Sequence, residues 1–158
     1  MRNALLFLVL TIAAALVGNL VLTNQTIWAP NAKAATSASN HLLQKGIEEL
    51  ENSNLAGAIR LFEQAVTANP KNARAFSYLG QGYGQVGNTT RAYKYYGIAL
   101  DIDPNEVKAL SWSGQVDLRN DRFDLAGRKL VRLEQVCGLV CPEYQSLKDV
   151  LDNLDPKD

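Results

Sequence analysis

Histidine occurs once in this 158-residue chain, at His41, and cysteine only twice, at Cys137 and Cys141. A metal site needs more ligands than two thiolates, and His41 lies far from both in the sequence, so no metal or cofactor is expected. The chain also lacks an excess of either charge, since 16 Lys and Arg balance 16 Asp and Glu. Setting aside the first 34 residues removes Arg2 and Lys33 and leaves about two net negative charges. Nucleic-acid binding is dominated by phosphate neutralisation, so a nearly neutral chain has no general pull on that partner. Missing too is any activated nucleophile, or pair of carboxylates with supporting groups, of the kind a hydrolase or transferase requires. Asp101 and Asp103 sit beside Pro104 at a helix end, and Asp117, Asp121 and Asp124 gather round a turn, where such residues solvate and cap. No enzymatic activity is expected.

Long apolar runs are absent apart from one. Ala4–Leu22 carries no charge, Arg2 stands just before it, and its strongest core is Ala4–Val17. The whole run is long enough to cross a bilayer, which takes roughly 17 to 25 mostly apolar residues. Ala32-Lys33-Ala34 supplies the small-x-small pattern of a signal peptidase site, though it lies farther from the apolar core than usual. Residues 1–34 are therefore expected to be a signal peptide cleaved after Ala34, or a retained membrane anchor. Either option exports the rest of the chain, to a periplasmic location if the source is bacterial, because Arg2 favours a cytoplasmic N-terminus. The small polar stretch Asn31–Asn40, and residues 35–38 in particular, read as a flexible tether.

What remains is periodic. The stretch Ala73–Glu106 reads as two amphipathic helices joined by a Gly/Asn turn and stopped by Asp103-Pro104. Displaced by about 34 residues, it falls on itself. Leu42, Gly46, Ala58, Phe62, Ala65 and Pro70 align with Phe76, Gly80, Ala92, Tyr96, Ala99 and Pro104. A looser copy follows at Leu110, Gly114, Ala126 and Leu130. The chemistry at these positions is packing: Gly80 and Ala92 lack bulk where the paired helices cross. Phe76, Leu79 and Tyr83 form one buried stripe, with Tyr93, Tyr96 and Ala99 expected to form its counterpart on the second helix. Pro70 and Pro104 end their helices, and Asn52-Ser53-Asn54 and Gly87-Asn88 turn the chain between them.

Phe76-x2-Leu79-Gly80-x2-Tyr83, followed by Ala92-x3-Tyr96 and Pro104, resembles the tetratricopeptide repeat family, over roughly residues 39–140. The resemblance implies an all-α superhelix of three helical hairpins, at 39–72, 73–106 and a degenerate 107–140, stacked right-handedly. The first copy departs from the pattern at Lys45 and Glu49, and the third at Asp117 and Gly138. It also implies a non-enzymatic scaffold whose first helices line a concave groove for a peptide or helix of a partner protein. The implied lining is Asn40, Leu43, Ile47 and Leu50 in the first copy, then Arg74, Ser77, Gln81 and Gln85. Lys108, Ser111, Gln115 and Arg119 complete it in the third. That groove is mildly basic in two repeats and apolar in the first. Members that clamp a chaperone's terminal carboxylate need Lys, Asn and Arg where this chain has Leu43, Ile47, Tyr78, Lys108 and Trp112, of which only Lys108 matches.

Residues 141–158 are expected to form a capping helix and tail, with Pro142 and Glu143 in its first turn and Tyr144, Leu147, Val150, Leu151 and Leu154 along one face. In an oxidising compartment, Cys137-x3-Cys141 across a tight corner is most simply a disulfide. A thiol–disulfide factor using that pair is the alternative function, and self-association as a homo-oligomer, through the apolar first-repeat groove or the N-terminal segment, is another. The Cys-Gly-x2-Cys-Pro-Glu-Tyr ending resembles the tail of small bacterial periplasmic tetratricopeptide proteins. Gly82-Tyr83-Gly84-Gln85-Val86-Gly87 matches the dinucleotide fingerprint in letters, but it lies within a helix of a repeat and no strand precedes it, so nucleotide binding is not expected.

Overall fold

A computed structural model describes residues 32–154, so Met1–Asn31 of the expected export segment and the last four residues of the tail lie outside it. Seven helices follow in order: α1 Ala32–Glu51, α2 Leu55–Ala68, α3 Ala73–Gln85, α4 Thr89–Ile102, α5 Val107–Leu118, α6 Phe123–Cys137 and α7 Pro142–Leu154. They pair as three hairpins, α1/α2, α3/α4 and α5/α6, with α7 laid against α5 and α6. Among the described residues no helix is long and apolar enough to cross a membrane.

Three asparagines start helices in the same way. Asn54, Asn72 and Asn88 each accept a hydrogen bond of 3.1 Å from the backbone N–H three residues on, satisfying a donor that the first helical turn leaves unpaired. Continuing the 34-residue step brings Arg122 and Glu106 to the corresponding places, and neither makes a side-chain cap. The hairpin turns keep the period as well, with Ser53, Gly87 and Asp121 all in the left-handed region at φ 62°, 78° and 58°. Only glycine adopts that conformation without steric cost.

The small residues of the repeat sit where helices touch. A Cβ on Gly80 would lie 2.6 Å from the Tyr96 ring, so α3 and α4 approach only because it is absent. Gly114 plays the same part with a different neighbour: its Cβ would lie 2.6 Å from Leu147 of α7. The capping helix thus fills the niche of the third repeat.

Two apolar cores result. One joins Leu43, Phe62, Tyr78, Leu79, Tyr83, Tyr96 and Val116 across the first two hairpins into α5. The other joins Leu110, Leu118, Leu133, Tyr144 and Leu147 under the cap. Aromatic rings link neighbouring repeats, with Phe62 and Tyr78 at 5.6 Å and Tyr78 edge-on to Trp112 at 5.3 Å, a favourable geometry for ring quadrupoles.

Three expectations are corrected. Residues 35–38 are helical, because α1 starts at Ala32: the stretch is alanine-rich and Ser39, fully buried, anchors it by donating to Ala65 O at 2.8 Å. Tyr93 is not part of the buried stripe but 36% exposed, with its ring under Arg122 and Lys129 at 4.8 and 5.3 Å. Asp117 does not solvate a turn. It is fully buried, accepting from Arg122 Nε at 2.8 Å and from Lys129 Nζ.

Candidate partner-binding face

The first helices of the hairpins carry the residues expected to meet a partner, and helical rotation divides those residues into three groups. Leu43, Ser77 and Ser111 are 5%, 0% and 1% exposed, so they present no surface to a partner. Their place, three residues after Asn40, Arg74 and Lys108, has turned inward onto the packing between helices. Ile47 and Leu50 are half-buried against the first core, which removes most of the apolar strip expected in the first repeat. Asn40 is exposed but accepts a hydrogen bond of 3.0 Å from Asn72 Nδ2.

At the N-terminal ends of α3 and α5 the expected basic character is largely answered from within. Lys108 Nζ lies 3.0 Å from Glu143 of α7, and also 5.3 Å from the Trp112 ring and 5.7 Å from the Tyr78 ring. Burial alone would raise the Glu143 carboxyl, but the bond from Lys108 and its own backbone N–H hold it below the usual range. The Arg74 guanidinium lies 5.8 Å from the Tyr78 ring. Nearby, Glu106 is pushed up by burial, against the opposing pull of the Lys108 backbone and Arg74. The capping helix also reaches Gln115, whose Nε2 donates to Ser146 Oγ at 2.9 Å. No residue pattern on α1–α6 alone reveals either contact, since both depend on where α7 docks.

The C-terminal ends of the same helices are different. There Gln81, Gln85, Gln115 and Arg119 come together, as their shared spacing implies, around an open cleft of about 400 Å³ between α3, α4 and α5. Tyr96 and Trp112, with ring centroids 6.3 Å apart, supply aromatic walls, and Gly84 and Thr89 contribute the rim. Burial pushes the Tyr96 phenol far above the ordinary tyrosine range, partly opposed by the charge of Arg119. Gln81 Oε1 is buried without a hydrogen-bond partner among the described residues. The sequence reasoning missed the contributions of Tyr96, Thr89 and Gly84. Its only signal for them was the helical repeat itself, which brings the start of each second helix beside the end of the first.

The glycine-rich run that imitates a dinucleotide fingerprint falls where its letters cannot work, with Gly82 and Gly84 inside α3 and only Gly87 in a turn. Among the described residues no group of three His, Cys, Asp or Glu side chains is placed to hold a metal ion. Cys137 and Cys141 form a disulfide with sulfurs 2.04 Å apart, joining the last residue of α6 to the start of α7.

Comparison with known proteins matches this geometry. Residues 43–81 match the tetratricopeptide repeat. Cellulose synthase operon protein C of Escherichia coli (strain K12) is 29% identical over 109 residues, covering 69% of this chain but 9% of that protein, so the chain corresponds to less than a tenth of that relative. Pseudomonas aeruginosa PilF is similar in structure, with a TM-score of 0.67 at 21% identity, over 77% of this chain and 54% of that one. The first tetratricopeptide domain of Spaghetti (RPAP3), solved with the HSP90 peptide SRMEEVD, has a TM-score of 0.65 at 17% identity, over 75% and 94%. Three hairpins, with glycine at the crossings of the first two, aromatic contacts between successive repeats and a helix closing on the glycine of the third, are the tetratricopeptide repeat fold.

Proposed function

We propose that this chain is a non-enzymatic scaffold of the bacterial cell envelope, which holds a peptide or helix of a partner protein on the face formed by α3 and α5. The observation that carries the reading is the convergence of Gln81, Gln85, Gln115 and Arg119 on one open cleft, with no Asp or Glu in its lining. Amides and a guanidinium suit the alternating donors and acceptors of a peptide backbone and its carboxylates. The RPAP3 domain of the same fold was solved with a peptide ligand, which agrees with a binding role. Export rests on the apolar run Ala4–Leu22 and the preceding Arg2, by cleavage after Ala34 or as an inner-membrane anchor.

The test is site-specific photo-crosslinking in intact cells, with the probe at Gln85 or Arg119 on the proposed face and at Arg60 on α2 as control. Adducts from the envelope fraction are expected at the first two positions and not at the third. Arg74→Glu/Arg119→Glu should abolish the Gln85 adduct. Identical adducts from all three positions, or an unchanged adduct in the double variant, would remove the α3–α5 face from consideration.

A further inference from the structure

We infer that the corner between α6 and α7 docks on an anionic lipid surface, with Leu139 and Val140 entering the headgroup boundary and Arg128 and Arg132 meeting lipid phosphates. This goes beyond the partner-binding reading and uses none of the residues of the α3–α5 face.

The apolar side chains come first. Val136 is exposed on the last turn of α6, and Leu139 and Val140 follow inside the loop that the Cys137–Cys141 disulfide closes. Val140, at 91%, is the most exposed large hydrophobic side chain among the described residues. Exposed aliphatic groups need no explanation in a floppy loop, but this corner is held. The disulfide ties its ends, Cys141 N–H donates to Gly138 O at 3.3 Å, and Gln145 Nε2 donates to Leu139 O. Gly138 supplies the left-handed turn, at φ 81°. Little ordering cost therefore opposes docking.

The charge is a second, independent observation. Four-residue steps put Arg128, Arg132 and Val136 along one side of α6, leading to the corner. Both arginines are exposed, and neither has a carboxylate within ion-pair distance among the described residues. Glu134 stands two residues from Arg132 and two from Val136, about 160° round the helix from each. Glu143, just after the corner, is already held by Lys108. Arg132 lies about 6 Å along the helix from Val136, and Arg128 about 12 Å. An apolar tip with guanidinium groups one and two turns behind it matches the layering of a lipid surface, in which hydrocarbon lies roughly 5–10 Å beneath the phosphates.

Size decides against a protein as the occupant. A specific protein interface buries roughly 800 Å² on each side, which three aliphatic side chains on a closed corner do not supply. A fluid bilayer needs no complementary shape. The retained-anchor alternative for Ala4–Leu22 would also keep the chain at such a surface.

The experiment is reconstitution of the full-length protein into vesicles, with a photo-reactive phenylalanine analogue at Leu139 or, as control, at Val86 just after α3. The two positions are equally exposed, at 53%, so solvent access does not separate them. In vesicles of phosphatidylglycerol and phosphatidylcholine, the Leu139 probe should give lipid adducts at least five-fold above the Val86 probe. Pure phosphatidylcholine vesicles should lower the Leu139 yield at least five-fold, and so should Arg128→Glu/Arg132→Glu. Val140→Asp should lower it with the arginines intact. All three substituted side chains are exposed, and circular dichroism checks that each variant keeps its helices. Equal lipid adducts at Leu139 and Val86, or a Leu139 yield indifferent to lipid charge and to both arginines, would overturn the docking surface. Adducts to a second protein chain in place of lipid would overturn it too, by assigning the corner to a protein contact. Either failure leaves the α3–α5 reading standing, since that face carries neither probe nor substitution.

Discussion

At the position where the middle repeat has Tyr83, the third has Asp117, and the exchange alters the whole environment. Tyr83 donates to Glu63 Oε1 at 2.7 Å and carries Arg91 over its ring at 5.1 Å, so its hydrogen-bonding end stays near the surface. Asp117 cannot reach that far and is fully buried, so its charge has to be met inside. Arg122, which stands where Asn88 caps the preceding hairpin, and Lys129, from α6, both close on it. Burial lowers the Lys129 pKa, and the hydrogen bond and charge of Asp117 hold it up. Removing one member of such a group strands the others: Asp117→Asn should cost about 3 kcal/mol in urea denaturation. Asp117→Tyr/Lys129→Met, which brings back the tyrosine of the middle repeat and removes the cation that would be left without its partner, should recover most of that loss. A change below about 0.5 kcal/mol for Asp117→Asn would show the group to be surface-like. The arrangement was illegible beforehand because an aspartate next to a turn reads as solvated, and its partners lie on later segments whose placement follows only from the fold.

Among the helices, stability is unevenly supplied. α2, α3 and α4 begin on asparagine caps, each worth about 1 kcal/mol, whereas α5 and α6 begin on Glu106 and Arg122 without one. The third hairpin is held instead by α7, through Leu147 on Gly114, Glu143 on Lys108 and the Cys137–Cys141 link. That link closes a very short loop, so chain-entropy reasoning limits its contribution to about 2 kcal/mol. Cys137→Ser/Cys141→Ser should therefore lower the thermal midpoint modestly while α3 and α4 keep their helicity, and the same shift should follow addition of a reductant to the wild type. Complete unfolding on reduction would mean that the bond, and not the packing of Tyr144 and Leu147, holds the cap. Helix existence, order and the glycine crossings could be read in advance because the repeat places small residues wherever backbones must approach. The inward turn of Leu43, Ser77 and Ser111 could not, since a buried stripe widens or narrows by one residue according to what packs beside it. The helicity of residues 35–38 was hidden for a related reason: their polarity suggests a tether, while their alanines and the anchoring bond of Ser39 favour a helix.

For the molecule as a whole, contacts run between neighbouring repeats, so opening should proceed from the ends. α3 and α4 have a hairpin on either side, and Tyr78 reaches both, meeting Phe62 behind and Trp112 ahead. Amide hydrogen exchange should be slowest in α3 and α4 and faster in the first turns of α1 and the last of α7. Uniform protection along the chain would indicate a single cooperative unit without a gradient. A stack of repeats has no natural length, since each unit offers its successor the same surface it received. Here Leu147 occupies the niche at Gly114 and Glu143 has taken the Lys108 ammonium. Among the described residues, the face of the third hairpin on which a successor would pack is therefore already occupied by α7.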